Sequence, residues 1–175
     1  MTNNIYCMDT SSLIDAQLWF PIRRIHRYWD LLEGLVYNKQ LIAPIEVLKE
    51  LKKNRDPYNW AYAHKDKLFF NNFSGKYASV QSIISECPGL IDPNKKSQIQ
   101  ADPYLIALVL HLKSSNKQIK LNTEKWNTDI KYIILTEEQG TGNPNKYKVP
   151  DACKKYGIDS RSIRYLLELE DWKLE

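Results

Sequence analysis

Short apolar runs alternate along the chain with longer amphipathic segments, a pattern typical of an α/β protein. The apolar runs at residues 5–8, 41–43 and 130–136 predict strands. Such short, nearly continuous runs suit strands that are buried on both faces of a parallel sheet. We therefore expect a central parallel sheet whose strands are connected by helices.

The amphipathic segments predict helices at similar intervals. In residues 22–37 the apolar positions recur at three- and four-residue steps, as one face of a helix requires. Asp102 and Pro103 form a strong helix start, with Asp102 expected as the N-cap of a buried helix over 104–113. Ser160 is expected to cap the last helix. The remaining expectations are helices over 11–19, 44–53, 149–156 and 162–172, a helical pattern with breaks over 54–100, and a loop or edge excursion over 114–129.

Length and composition predict a single domain with a hydrophobic core and no membrane span. The 175 residues suit one domain over 1–175, and 43% are hydrophobic, which is enough for a core. No apolar run reaches about 18 residues, so we expect neither a membrane span nor membrane partners. The three cysteines are widely spaced and the N-terminus lacks a signal pattern, which favours a reduced, cytoplasmic protein. A net charge of +4 fits a polyanionic partner but is equally typical of an ordinary surface.

Acidic residues follow the predicted strands. Asp9 comes directly after the first strand, and Glu137 and Glu138 come after the strand that ends near Thr136. Sites in open α/β sheets form outside the carboxyl ends of the strands, so these acids are candidate site residues. Glu46 joins them from the first turn of the helix after the second strand, where the helix dipole alone also favours a carboxylate.

Asp102 is the remaining member of the acidic set, although helix capping alone would explain it. Carboxylates that converge on one cleft repel each other unless a cation is present. Hard oxygen ligands suit Mg²⁺ or Mn²⁺, and such ions activate water and stabilise phosphoryl oxygens. The set therefore indicates hydrolysis of a phosphodiester.

The order of these segments resembles that of the PIN-domain ribonucleases, in particular the VapC-like toxins of toxin–antitoxin pairs. The matching segments are residues 4–14, 44–51, 101–107 and 134–138, of which the first and third are the most specific. The resemblance implies a three-layer α/β/α PIN-like fold with a central parallel sheet. It also implies Mg²⁺- or Mn²⁺-dependent endoribonuclease activity on RNA, a cognate antitoxin protein and a possible homodimer.

The resemblance also implies roles for individual residues. Asp9, Glu46 and Asp102 match the first three acids, and Glu138 matches the fourth, so these four are the expected catalytic residues. Asp9, Asp102 and Glu138 are the expected metal ligands. Ser11 matches a hydroxyl that helps to hold Asp9 or the substrate phosphate, and Thr136 is expected to act in the same way. The fourth acid is usually Asp or Asn, and the segment before it is longer here, so Glu137 or Asp151 remain alternatives.

Three other classes of function are alternatives to the nuclease. A PIN-fold module that binds RNA or a protein partner without chemistry fits the same mild positive charge. An aspartyl-nucleophile phosphatase also begins with a strand and Asp, but it needs a second Asp where this chain has Ser11. A Ser/His/Asp hydrolase is disfavoured because His26, His64 and His111 all fall in helical segments.

Overall fold

A five-stranded parallel sheet forms the centre of the protein in the computed structural model, which describes residues 4–53, 55–95, 98–122 and 130–174. The strand order is β3-β2-β1-β4-β5, and every pairing is parallel. Helices cover both faces, which confirms the predicted three-layer α/β/α fold. The strands are β1 (Asn4–Met8), β2 (Leu41–Pro44), β3 (Phe69–Phe70), β4 (Lys131–Leu135) and β5 (Asp159–Arg161).

The middle strands are apolar because both of their faces are covered. Tyr6, Cys7 and Met8 of β1 are fully buried, and the four residues of β4 after Lys131 are buried as well. Met8 pairs with Leu135 in the parallel register, so β1 and β4 end side by side. The residues that follow them therefore emerge at one edge of the sheet.

The helices are packed on the sheet and on one another. The long helix α7 crosses β1, β2 and β4 and packs against α6 and α8, while α2 and α5 pack on β2. Within the described ranges, no helix combines the length and the apolar character needed to cross a membrane. The helices are α1 (Thr10–Trp19), α2 (His26–Tyr37), α3 (Ile45–Glu50), α4 (Asp56–Ala63), α5 (Lys65–Leu68), α6 (Lys76–Glu86), α7 (Asp102–Asn122), α8 (Val149–Lys155) and α9 (Tyr165–Leu169).

Some expectations from the sequence were wrong. The loop expected over 114–129 is helical to Asn122, because the polar segment continues the helix that the buried residues before it begin; residues 123–129 lie outside the described part. Ser160 is not a helix cap but lies in β5, a polar edge strand that only its hydrogen bonds to β4 define. The last helix is also shorter than expected, and the two-residue strand β3 carried too little pattern to be predicted.

Candidate active site

Asp9 lies at the carboxyl end of β1 and begins α1. The side chain is 3% exposed, and its Oδ1 accepts the Thr10 N–H at 2.6 Å as the N-cap of that helix. Its Oδ2 accepts the Ser11 hydroxyl at 2.6 Å and the Thr136 hydroxyl at 2.9 Å. Three hydrogen bonds thus fix the orientation of one buried carboxylate.

Ser11 and Thr136 also connect Asp9 to the segment after β4. The Ser11 Oγ accepts the Glu137 N–H at 3.1 Å, and the Thr136 Oγ1 accepts the Glu138 N–H at 3.3 Å. The two hydroxyl oxygens lie 3.3 Å apart. The structure therefore places both predicted hydroxyl residues directly on Asp9, where they orient its carboxylate and hold the chain that carries Glu138.

A cleft of about 770 Å³ opens at this edge of the sheet. Five carboxylate residues line it, and we call it the acidic cleft: Asp9, Glu50, Asp92, Asp102 and Glu138. Four lysines line it too: Lys49, Lys52, Lys95 and Lys148. Three of the four predicted catalytic acids are thus brought together from β1, α7 and the segment after β4.

Asp102 is the first residue of α7, and not its N-cap as the sequence predicted. The preceding residue, Ala101, takes the capping place, since its carbonyl accepts the N–H groups of Tyr104 and Leu105 at 2.9 and 3.0 Å. The start of α7 therefore carries Asp102 to the wall of the acidic cleft.

Glu50 also lines the cleft, although it was not among the site residues predicted from the sequence. Its Oε2 accepts the Thr10 hydroxyl, and its Oε1 accepts the Ala101 N–H at 2.9 Å. Thr10 follows Asp9 and Ala101 precedes Asp102, so one side chain connects the two segments that carry the central acids. The sequence carried no signal that would have selected it, because its four-residue spacing from Glu46 predicts one shared helix face, whereas the structure separates the two acids.

Glu46 lies away from the cleft and is not among its lining residues. It is 5% exposed, and its Oε1 accepts the ammonium of Lys76, itself 4% exposed, at 2.9 Å. Lys49 approaches the same oxygen at 4.0 Å. The structure thus gives Glu46 a buried ion pair between α3 and α6, in place of the expected contact with Asp9 and Asp102.

Of the three candidates for the fourth acid, only Glu138 lines the cleft. Glu137 points to the other side, where its carboxylate accepts the Ile163 N–H. Asp151 accepts the N–H groups of Thr141, Gly142 and Lys148, each at 2.9 Å, and so closes the loop before α8. Although burial opposes the effect, these N–H groups lower the pKa of Asp151.

Burial and neighbouring negative charges raise the pKa values of two acids of the cleft, Asp9 and Asp102. Burial raises the pKa of Asp9 to about 6, and the charges of Glu138 and Glu50 act in the same direction. Burial also raises the pKa of Asp102 well above its usual range, with the Asp9 charge as the next cause. Lys148 opposes this rise. Several negative charges close together in one cleft are stabilised by a cation among them.

The donor atoms of the cleft fit a hard divalent ion, because they are carboxylate and hydroxyl oxygens without histidine or cysteine. In the described ranges, no three Asp, Glu, His or Cys side chains are arranged to hold an ion as they stand. Both oxygens of Glu50 already accept protein hydrogen bonds, and so do both oxygens of Glu138. An ion that bound to either side chain would therefore share its oxygens with these hydrogen bonds or replace one of them.

A comparison with models of protein families identifies the family of this chain. No curated protein and no solved structure matches the chain. A family model described as "Domain of unknown function (DUF4411)" matches residues 6–174. The match contains every residue of the acidic cleft. Because it spans nearly the whole sequence, the chain belongs to the DUF4411 family of domains of unknown function.

Proposed function

We propose that the protein is a Mg²⁺- or Mn²⁺-dependent endoribonuclease that hydrolyses RNA phosphodiesters in the acidic cleft. The observation that carries the proposal is the meeting of Asp9, Asp102 and Glu138, with Glu50, around one opening at the carboxyl edge of the sheet. These residues are far apart in sequence, and parallel strands bring such residues together at sites of chemistry.

Each residue has a distinct role in the proposal. Asp9 and Asp102 hold the ion, because they are the most deeply placed and their mutual repulsion is relieved by it. Glu138 contributes from the rim, and Glu50 positions the segments of Asp9 and Asp102 through Thr10 and Ala101. When bound, the ion supplies charge stabilisation to the phosphate and lowers the pKa of a water.

The lysines around the cleft support a polyanionic substrate. Lys49, Lys52, Lys95 and Lys148 surround the acids, and lysine ammonium groups attract the phosphates of a nucleic acid. The cleft has a volume of about 770 Å³ and is open to solvent, as access by a single strand requires. The resemblance to PIN-domain ribonucleases selects RNA over DNA within that class.

The test is cleavage of fluorophore-labelled single-stranded RNA and DNA by protein freed of metal and then supplied with Mn²⁺ or Mg²⁺. We expect RNA cleavage that EDTA stops. Asp9→Asn and Asp102→Asn should each lower the rate about 100-fold or more, because several kcal/mol of charge stabilisation are lost. Asp66→Asn, an exposed acid outside the cleft, serves as the control. Full activity in EDTA, or in either cleft variant, would contradict the proposal.

A second candidate is an RNA- or partner-binding module without turnover. The hydrogen bonds that already occupy Glu50 and Glu138 favour it, since they satisfy both acids without an ion. The same experiment separates the two, because a binding module retains RNA in the presence of Mn²⁺ without producing fragments.

The resemblance to VapC-like toxins extends the proposal to a toxin–antitoxin pair, with a cognate antitoxin that holds the nuclease inactive. Growth of cells after induced expression measures this. We expect arrest with the natural chain and normal growth with Asp102→Asn, which removes one carboxylate of the cleft. Equal growth with both chains would limit the proposal to a nuclease without toxicity.

A further inference from the structure

Lys148 is a cation already present inside the acidic cleft. Its Nζ lies 3.2 Å from the Oε1 of Glu138, and the lysine side chain is 48% exposed. Lys49, another lysine of the cleft, instead approaches Glu46. Lys148 also lies close enough to Asp102 for each charge to affect the pKa of the other residue. It therefore neutralises part of the negative charge that would attract a divalent ion.

The two oxygens of Glu138 have unequal partners. Oε2 accepts the N–H of Val149 at 3.1 Å, a donor fixed in the first turn of α8. Oε1 accepts the ammonium of Lys148, which stands at the end of a flexible four-carbon side chain. Loss of the lysine contact would free one oxygen while the backbone contact still orients the carboxylate.

The main chain around Lys148 is held from two sides. Asp151 accepts its N–H at 2.9 Å, and the same carboxylate holds Thr141 and Gly142 across the loop. On the other side, Gly89 packs so closely on the loop that an added Cβ would lie 2.3 Å from the backbone nitrogen of Tyr147. These contacts hold the main chain in place, whereas the flexible side chain of Lys148 can turn away from Glu138.

We propose that Lys148 is a resident counter-cation that occupies Oε1 of Glu138 and that a divalent ion must displace when it binds to the acidic cleft. This inference rests on the proposed metal-dependent function. The ammonium and the ion compete for one oxygen and repel each other while both remain in the cleft. Lys148 thereby sets the divalent-ion concentration at which the site fills.

The decisive variant is Lys148→Gln, which removes the charge and keeps a side chain of similar length. We expect it to bind Mn²⁺ about three- to tenfold more tightly than the natural chain, because the competing contact is partly exposed and of modest strength. Lys148→Arg keeps the charge and should bind Mn²⁺ like the natural chain. Lys131→Gln is the matched control, since Lys131 pairs with Asp159 at 2.8 Å on the sheet edge away from the cleft.

The measurement is isothermal titration of Mn²⁺ into each full-length protein after removal of metal, with circular dichroism to compare folding. Equal affinities of the natural chain and Lys148→Gln would overturn the role of Lys148 while leaving the metal site in place. Tighter binding by Lys148→Arg as well would overturn it too, since charge would not be the cause. Absence of Mn²⁺ binding by every protein would instead overturn the proposed metal site and this inference together.

Discussion

The buried, ionised carboxylate of Asp9 lowers the stability of the protein when no metal ion is bound. The side chain is almost wholly buried, and burial raises its pKa from 3.8 to about 6. A carboxyl whose pKa is raised by folding binds more protons in the folded than in the unfolded protein, so stability falls as pH rises from about 4 to 6. Above about pH 6 the ionised Asp9 lowers the stability of the folded protein by the full amount. This ionised form is the one that a cation site needs.

Asp9→Asn should therefore stabilise the metal-free protein at pH 8 while it removes RNA cleavage. We expect a gain of about 1–3 kcal/mol, bounded by a shift of roughly 2 pKa units. Asn keeps an oxygen for the Thr10 N–H, and the hydroxyls of Ser11 and Thr136 can rotate to accept from its amide.

Urea unfolding in EDTA at pH 5 and pH 8 measures this effect. The difference in stability between the variant and the natural chain should be larger at pH 8 than at pH 5. Asp66→Asn, which removes an exposed charge, should follow the natural chain at both pH values. An Asp9→Asn protein that is less stable than the natural chain at pH 8 would show that hydrogen bonds outweigh the repulsion.

The predictability of individual site residues depended on their distance from a strand end. Asp9 and Thr136 directly follow β1 and β4, so the apolar runs predicted the edge at which they lie, while the role of Thr136 beside Asp9 came from the resemblance to PIN-domain ribonucleases. Glu50 and Lys148 lie one helical turn or a long loop beyond the nearest strand. Their direction depends on how α3 and the loop before α8 are held by other side chains, which one sequence does not reveal.

At the scale of elements, α3 separates two acids that the sequence places four residues apart. A helix of only six residues has its first turn under α6 and its end at the cleft, so Glu46 meets Lys76 while Glu50 meets Thr10 and Ala101. Glu46 was expected at the site because it lies in the first turn after β2 and matches an acid of the PIN-domain pattern. The length of α3 and the position of α6, both set by tertiary packing, instead put Glu46 in contact with Lys76.

The two acids of α3 should respond differently to neutralisation. Glu46→Gln leaves the ammonium of Lys76 buried without a charged partner, which should cost about 3 kcal/mol or more of stability. Glu50→Gln should cost less stability, because Gln still accepts from Ala101, but it should lower RNA cleavage at least about tenfold by removing charge and alignment near Asp9.

Thermal unfolding and initial cleavage rates, measured on both variants, test this separation. The double variant Glu46→Gln with Lys76→Met should recover part of the stability that Glu46→Gln loses, because the uncompensated charge is gone. If Glu46→Gln abolished cleavage with its folding intact, and Glu50→Gln left the rate unchanged, the residue expected from the sequence would be the functional one after all.

At the scale of the whole molecule, the layer architecture was predictable because the middle strands are buried on both faces. Their apolar runs at β1, β2 and β4 stand out from the amphipathic helices. The edges of the sheet were not predictable: β3 has two residues and β5 is the polar triplet Asp159–Arg161. Edge strands bury little, so hydrogen bonds to a neighbour define them, and a hydropathy pattern does not record those.

The molecule as a whole should become more stable when a divalent ion fills the cleft. An ion that binds only the folded chain adds about 2.7 kcal/mol at a concentration one hundred times its dissociation constant. For a chain of this length that corresponds to a rise in melting temperature of roughly 5–10 °C. Scanning fluorimetry of the metal-free protein with increasing Mn²⁺ measures the rise.

Asp102→Asn should show less than half of this rise in melting temperature, since one of the two central carboxylates is lost, whereas Asp66→Asn should show all of it. Equal rises in the natural chain and Asp102→Asn would mean that Mn²⁺ binds elsewhere, which would contradict the proposed metal site in the acidic cleft.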